Sequence, residues 1–200
     1  MESTYTKVCR HKRALLNELQ VYLHDFPFKA KLISYQQENT LILSKLPGIP
    51  YLDAKDLSEE LLTKLANAIY ELHTSNQFDS KVLCHWDNQP GNILWDETEH
   101  KIYLLDFEDI RWAFPEADLA HLLLFWAEVM DYETFINKAA FFISQYQSEL
   151  QLEEKRWKNE YRKAKARFDR RRSKYNKRER LINPSRSENR KYLSSAALIK

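Results

Sequence analysis

The chain runs to 200 residues, 44% apolar and 30% charged, with 31 Lys and Arg against 29 Asp and Glu. That size and composition provide one domain with a real core, or a domain with an appendage, and exclude a wholly disordered chain. The near-balance of charge hides a division. Residues 151–200 carry 18 basic and 6 acidic side chains, net +12, while 1–150 carry 13 and 23, net −10; such asymmetry bears on partners and solubility rather than on fold. No apolar run is long enough to span a bilayer, and the opening MESTYTKVCRHKR lacks the apolar stretch of a secretory signal, so a cytoplasmic location is expected.

STYTKVC alternates and holds β-branched and aromatic residues, which predicts a short strand carrying Lys7. HKRALLNELQVYLHDF spaces Leu15, Leu19 and Tyr22/Leu23 as a helix that Pro27 stops. FKAKLISYQQENTLILSKLPGIPYL reads as two strands around a polar turn at 36–39, then a linker punctuated by Pro and Gly. Over 56–73, Leu57, Leu61, Leu62, Leu65, Ile69 and Leu72 share one face, the clearest helix in the chain. KVLCH is a short strand, a loop runs on to Asn92, and NILWD and KIYLLDF pair around ETEHK. Two helices follow, EADLAHLLLFWAEVM, buried over much of its circumference, and YETFINKAAFFISQYQSEL. Beyond Glu153 polarity rises, yet Trp157, Tyr161, Ala164, Phe168 and Tyr175 keep a helical spacing, which predicts one long, basic, amphipathic helix to about Pro184.

Residues 84–123 concentrate the chemistry. His85, Asp87 and Asn92 form an H-x-D-x-x-x-x-N loop, and Asp106 follows the apolar strand IYLL. Phosphoryl transfer needs a carboxylate to take the attacking hydroxyl's proton and oxygen ligands for magnesium, because the reaction is mostly positioning and charge neutralisation. Asp87 fits the base, and Asn92 and Asp106 fit the metal ligands. Cys9 and Cys84 make no metal-type or CxxC spacing and are read as reduced thiols; Cys84 beside His85 suggests a thiolate nucleophile, but a plain buried cysteine is the stronger reading.

The stretch HWDNQPGNILW…IYLLDFEDIRWAFPEADLAHLL resembles the core of the aminoglycoside phosphotransferase and choline kinase family, the small-molecule branch of the protein-kinase-like fold. It carries Pro90-Gly91-Asn92, Asp106-Phe107-Glu108 and Asp118-Leu119-Ala120 in the family's order. The resemblance implies an α+β, protein-kinase-like fold with a reduced N-terminal lobe and hinge over 1–46, a mainly helical C-terminal lobe over 47–150, and a basic helical extension over 151–200. It implies ATP and Mg2+ as cofactors. YTKVCRHKRALLNEL is similar to the lysine and glutamate that pair to hold ATP phosphates, here Lys7 and Glu18; LILSKLPGIPYL resembles the hinge, with Ser44, Lys45 and Leu46 against adenine. His85 steadies the catalytic loop that carries Asp87.

Two departures stand out. Only six residues precede Lys7, and Gly48 and Gly91 are the only glycines, so no glycine-rich loop covering the phosphates is expected in this sequence. Trp86 stands where the family most often has a small residue, and packing is its favoured role. Asp118 either ties down the catalytic loop or caps a helix beginning near Leu119; the cap is the stronger local reading.

Glu108, Asp109 and Glu116, with Trp112, Phe114 and Trp126 close in sequence, suggest an acidic, aromatic pocket for an ammonium group. The expected activity is therefore ATP-dependent phosphorylation of a hydroxyl on a small, amine-bearing molecule of the choline, ethanolamine, thiamine or aminosugar type. The alternative is a catalytically silent, kinase-like binding module acting through its tail. A protein kinase is a third reading, weakened by Asp-Phe-Glu and by the lack of an activation segment between Asp106 and Asp118. The tail, RFDRRRSKYNKRER, interleaves cations with aromatics; nucleic acid is the weaker reading, and packing on the acidic body, self-association or an acidic partner the stronger.

Overall fold

The structure, a computed structural model, describes residues 3–36, 38–75, 77–147, 150–175 and 183–199. β1 (Thr4–Val8) leads into α1 (Lys12–Tyr22), whose first turn is closed by the His11 Nδ1 accepting the Ala14 N–H at 3.1 Å. β2 (Leu32–Gln36) and β3 (Thr40–Ser44) turn through Glu38 and Asn39, both at positive φ, where Asn is well tolerated. Together they form an antiparallel sheet in the order β1-β3-β2 with Leu41 and Leu43 buried beneath it. The strand that carries Lys7 is thus an edge of this sheet.

β4 (Ile49–Pro50) opens the larger part of the molecule. Gly48, just before it, sits at φ 101°, and a Cβ there would meet the Trp95 carbonyl oxygen at 2.6 Å, so both conformation and space demand glycine. α2 (Glu59–Thr74) is capped by Ser58, which accepts the Leu61 N–H at 3.2 Å, with Glu59 and Glu60 at the positive end of the helix. It starts three residues later than the expected span over 56–73 because the cap decides the first turn. β5 (Gln77–Phe78) and β6 (Lys81–Cys84) follow; then come the hairpin β7 (Ile93–Asp96) and β8 (Lys101–Leu104), and β9 (Arg111–Ala113). They complete two more antiparallel sheets, β4-β7-β8 and β5-β6-β9.

α3 (Pro115–Val129) is the central helix, with Leu119, Ala120, Leu122, Leu123, Leu124, Trp126 and Ala127 all buried. It starts at Pro115, not near Leu119: proline's fixed φ and missing N–H suit the first helical position, and Asp118 consequently lies inside the helix rather than at its cap. α4 (Tyr132–Gln147) packs on α2, while α5 (Glu154–Tyr175) and α6 (Arg186–Ser195) dock on α3. α5 is described to Tyr175; the rest of the helix expected to about Pro184 falls on residues 176–182, which with the Tyr175 side chain lie outside the described residues, and Pro184 precedes α6. No described helix is long and apolar enough to cross a membrane.

What docks α5 is its apolar stripe. Trp157, Tyr161, Ala164 and Phe168 are buried, the Trp157 Nε1–H donates to the Leu193 carbonyl at 2.7 Å, and Tyr161 donates to the Arg190 carbonyl at 3.0 Å. Glu116, buried in the first turn of α3, accepts from the Glu153 N–H at 3.0 Å and from Arg156 Nε at 3.1 Å, which pins the start of α5. The tail therefore packs on the body of its own chain. Trp157→Ala would leave a cavity at this junction, and chemical denaturation should report a loss of about 3–5 kcal/mol; a loss near the ~0.5 kcal/mol of a surface change would mean α5 is not part of the folded core.

Candidate active site

The loop after β6 is shaped by a carboxylate from another element. Asp118 Oδ2 accepts the His85 N–H at 2.6 Å and Oδ1 accepts the Trp86 N–H at 2.7 Å, while His73 Nε2 lies 3.1 Å from Oδ2. These contacts hold Trp86 at φ 68°, a left-handed conformation that costs roughly 1–2 kcal/mol for a residue with a Cβ. Burial would raise the Asp118 carboxyl, but the hydrogen bond and charge of His73, the His85 imidazole and the Trp86 N–H hold it below the usual carboxylate range. Of the two roles read for Asp118, tying down the loop is the one the geometry displays.

His85 is buried beneath the loop. Its Nε2–H donates to the Leu105 carbonyl at 2.8 Å, and since a carbonyl only accepts, Nδ1 is the acceptor that faces the Asp87 N–H at 3.4 Å. The ring thus spans from the strand end before Asp106 to the backbone of Asp87. Asn92 donates from Nδ2 to the Asp87 carbonyl at 3.0 Å, and its own carbonyl accepts the Leu105 N–H at 2.8 Å. Asp106 adopts φ 62°, ψ 69°, a turn that aspartate tolerates better than most residues.

Lys7 closes the other side. Its Nζ lies 2.6 Å from Glu18 and 2.7 Å from Asp106, with Glu108 at 3.9 Å. Burial disfavours the charged lysine, but Glu18 and Asp106 outweigh it and raise its pKa; burial likewise pushes Glu18 up, to about 7, against the pull of Lys7. The cleft between the two parts has a volume of about 1200 Å³ and is lined by Lys7, Ser44, Lys45, Leu46, Asp87, Asn92, Asp106, Glu108 and Asp109, all anticipated from sequence. Glu18 stands behind Lys7, and Ser44 is tied to Lys31, whose N–H it accepts at 2.9 Å. Asp106, Asn92 and Asp87 offer the hard oxygen donors that magnesium prefers, so the residues present fit that ion.

The expected ammonium pocket does not assemble. Trp112 lies on β9, opposite Leu83, and is not among the residues lining the cleft; its neighbours in sequence gave no clue to which face a three-residue strand would present. Trp126 is core, donating to the Tyr51 hydroxyl at 2.6 Å. Glu108 pairs with Arg10, and Asp109 lies 3.1 Å from Arg10 and 3.2 Å from Arg171. Burial raises Asp109, but the two guanidiniums prevail and lower it. Cys84 is buried and Cys9 is too, both unpaired, and burial raises both thiols, which removes the nucleophile reading.

Sequence reasoning missed Arg171 and His121. Arg171 Nη1 lies 2.6 Å from Asp87 Oδ1, and the stripe of Trp157, Tyr161, Ala164 and Phe168 points at it three residues on. His121, on α3, lines the cleft at 1% exposure with no partner for Nδ1. Burial chiefly, then Arg167, lowers its pKa to about 3, against 6.5 when unfolded. A depressed base contributes stability that is present above pH 6.5 and is lost as the pH falls, because the unfolded chain takes the proton first. Between pH 7.5 and 5 this amounts to about 2 kcal/mol, so the stability of His121→Leu should fall less over that range by about that amount in denaturant titrations; parallel curves would refute the assignment.

A model of the phosphotransferase enzyme family matches residues 14–145, a span that holds Asp87, Asn92 and Asp106. No curated protein matches the sequence. Among solved structures, an aminoglycoside phosphotransferase of Streptomyces rimosus in complex with ADP and streptomycin is 18% identical with a TM-score of 0.63, covering 80% of this chain and 84% of that one. The ethanolamine kinase of Plasmodium vivax is 13% identical with a TM-score of 0.65, over 100% and 77%. The choline kinase LicA of Streptococcus pneumoniae is 15% identical with a TM-score of 0.51, over 82% and 85%. At such identities the likeness speaks for the kinase-like fold.

Proposed function

The chain belongs to the phosphotransferase enzyme family, and from that footing we propose that it transfers the γ-phosphoryl group of ATP, with magnesium, to a hydroxyl of a small molecule. The observation that carries the reading is the convergence of Lys7, Asp87, Asn92 and Asp106 on one cleft. Asp87 is the base: as the acceptor oxygen bonds to the γ-phosphorus and the bond to the β-phosphate oxygen breaks, the hydroxyl proton passes to its carboxylate and ADP leaves. Lys7 turns to the phosphates, with Glu18 keeping it in place, and Ser44, Lys45 and Leu46 line the adenine end.

Asn92 and Asp106 would hold the magnesium, which neutralises phosphate charge when bound. In the free protein Lys7 neutralises Asp106, so nucleotide and metal binding require the lysine to exchange one anion for another. The proposed division is 1–46 for the nucleotide lobe and hinge, 47–150 for the catalytic lobe and 151–200 for the basic extension. The proposed setting is the cytoplasm, where thiols stay reduced. A silent binding module has no observation in its favour.

Calorimetry should find ATP binding that requires magnesium and is abolished in Asp106→Ala, and Asp87→Asn should keep that binding while lowering kcat roughly 10²- to 10⁴-fold. Failure of the intact chain to bind ATP with magnesium would overturn the reading.

A further inference from the structure

The acceptor side of the cleft gathers cations. Arg171 lies 2.6 Å from the base Asp87 and lines the cleft with His121, Phe125 and Phe168. One turn earlier on α5, the Arg167 guanidinium stacks 4.2 Å from the centre of the Trp86 ring, and Arg111 of β9 stacks 4.5 Å from it. Three guanidiniums thus surround the loop that carries the base, and their nearest carboxylates are already committed. Asp109 is shared by Arg10 and Arg171, Glu108 is paired with Arg10, and Asp118 holds the loop backbone.

Two observations point to a missing partner. Arg167 Nε and Nη1 are shut off from solvent without an acceptor, and burial, with repulsion from Arg171 and Arg111, outweighs the attraction of Asp118 and Asp87 and lowers this guanidinium to about 10. His121 Nδ1, buried on the cleft wall, has no partner either. Buried donors without acceptors are costly, and guanidinium and imidazole donors are satisfied by an anion and not by an ammonium group. An amine-bearing acceptor would have to displace Arg171 from the very carboxylates, Asp87 and Asp109, that could receive it.

We propose that the acceptor is an anionic alcohol whose phosphate or carboxylate is received by Arg171, beside His121 and with Arg167 behind it, so that binding draws Arg171 off Asp87 and frees the base. The inference rests on the phosphotransferase reading for the identity of this end of the cleft, and it replaces the amine-bearing acceptor suggested by sequence. The forked guanidinium matches a planar or tetrahedral oxyanion with two parallel N–H donors. Arg171 acts here as a specificity-determining residue, exchanging an internal anion for that of the ligand.

The test compares glycerol 3-phosphate and glycerate with glycerol and ethanolamine, by calorimetry on the full chain with the nucleotide site filled by ADP and magnesium, and by ADP release in turnover with ATP. The two anions should bind at least 10-fold more tightly than glycerol, with ethanolamine weakest, and the stronger of the two identifies phosphate or carboxylate as the group recognised. Arg171→Gln should weaken the anions roughly 10- to 100-fold, seen as KM more than kcat, and Arg171→Lys should restore part of the loss. Anions that bind no better than glycerol or ethanolamine, or an Arg171→Gln protein that binds them as before, would overturn the proposal. If the chain binds no nucleotide, the same titrations run without ADP still read the anion preference, so loss of the phosphotransferase reading and loss of this one are told apart.

Discussion

Everything at this site hangs on the Asp118 carboxylate. It sits inside a helix yet is used almost entirely by groups outside that helix: two loop N–H groups and the imidazole of His73 from α2. Hydrogen bonds to a charged group contribute about 1.5–3 kcal/mol each, a large share of the roughly 5–15 kcal/mol that holds a domain together. That strength is what holds Trp86 in a left-handed turn and sets the direction in which Asp87 leaves the loop. The His73 ring continues the chain of contacts to the Tyr146 hydroxyl at 2.7 Å, so α2, α3, α4 and the loop share one buried polar network.

Charge is the second organising force. The acidic body and basic tail find each other within one molecule: Arg186 and Arg190 each lie 2.7 Å from Glu128, and Arg171 lies 2.6 Å from Asp87. Because the Glu128 side chain is buried, the attraction in its pairs is offset by the cost of desolvating it, and the buried aromatics of α5 supply most of the adhesion. What the charges decide is register. With Glu116 gripping the start of α5, the helix phase is set, and one face must carry both the apolar stripe and the arginines that reach the catalytic loop.

Much of this was legible from residues whose local chemistry has one outcome. Ser58 before two glutamates marks a helix start, the alternation of NILWD and KIYLLDF marks a hairpin, and the spacing of Asp87, Asn92 and Asp106 belongs to a single cleft. Other features depend on partners far away in sequence. An aspartate ahead of an apolar helix looks the same whether it caps that helix or reaches across to a loop, and only the position of His85 and Trp86 in space separates the two for Asp118. Trp112 and Trp126 are chemically suited to a cation pocket, but a short strand edge and a core hydrogen bond to Tyr51 direct them elsewhere. Arg171 was hidden for a related reason: in a run so rich in arginine, only the phase of the buried stripe distinguishes it from its solvated neighbours.

The cleft is stitched from the two ends of the chain. The contact of Lys7 with Asp106 closes a separation of 99 residues, and that of Arg171 with Asp87 one of 84. Such distant pairings are reached late in folding, because loop closure must be met before they reward it. A nascent chain that has emerged only as far as α4 already presents Asp87, Asn92 and Asp106, but with no arginine from α5 beside them. The polypeptide thus acquires its nucleotide-facing carboxylates well before the arginines opposite, and the emergence of α5, rather than collapse of the central helices, is the moment at which Asp87 meets Arg171.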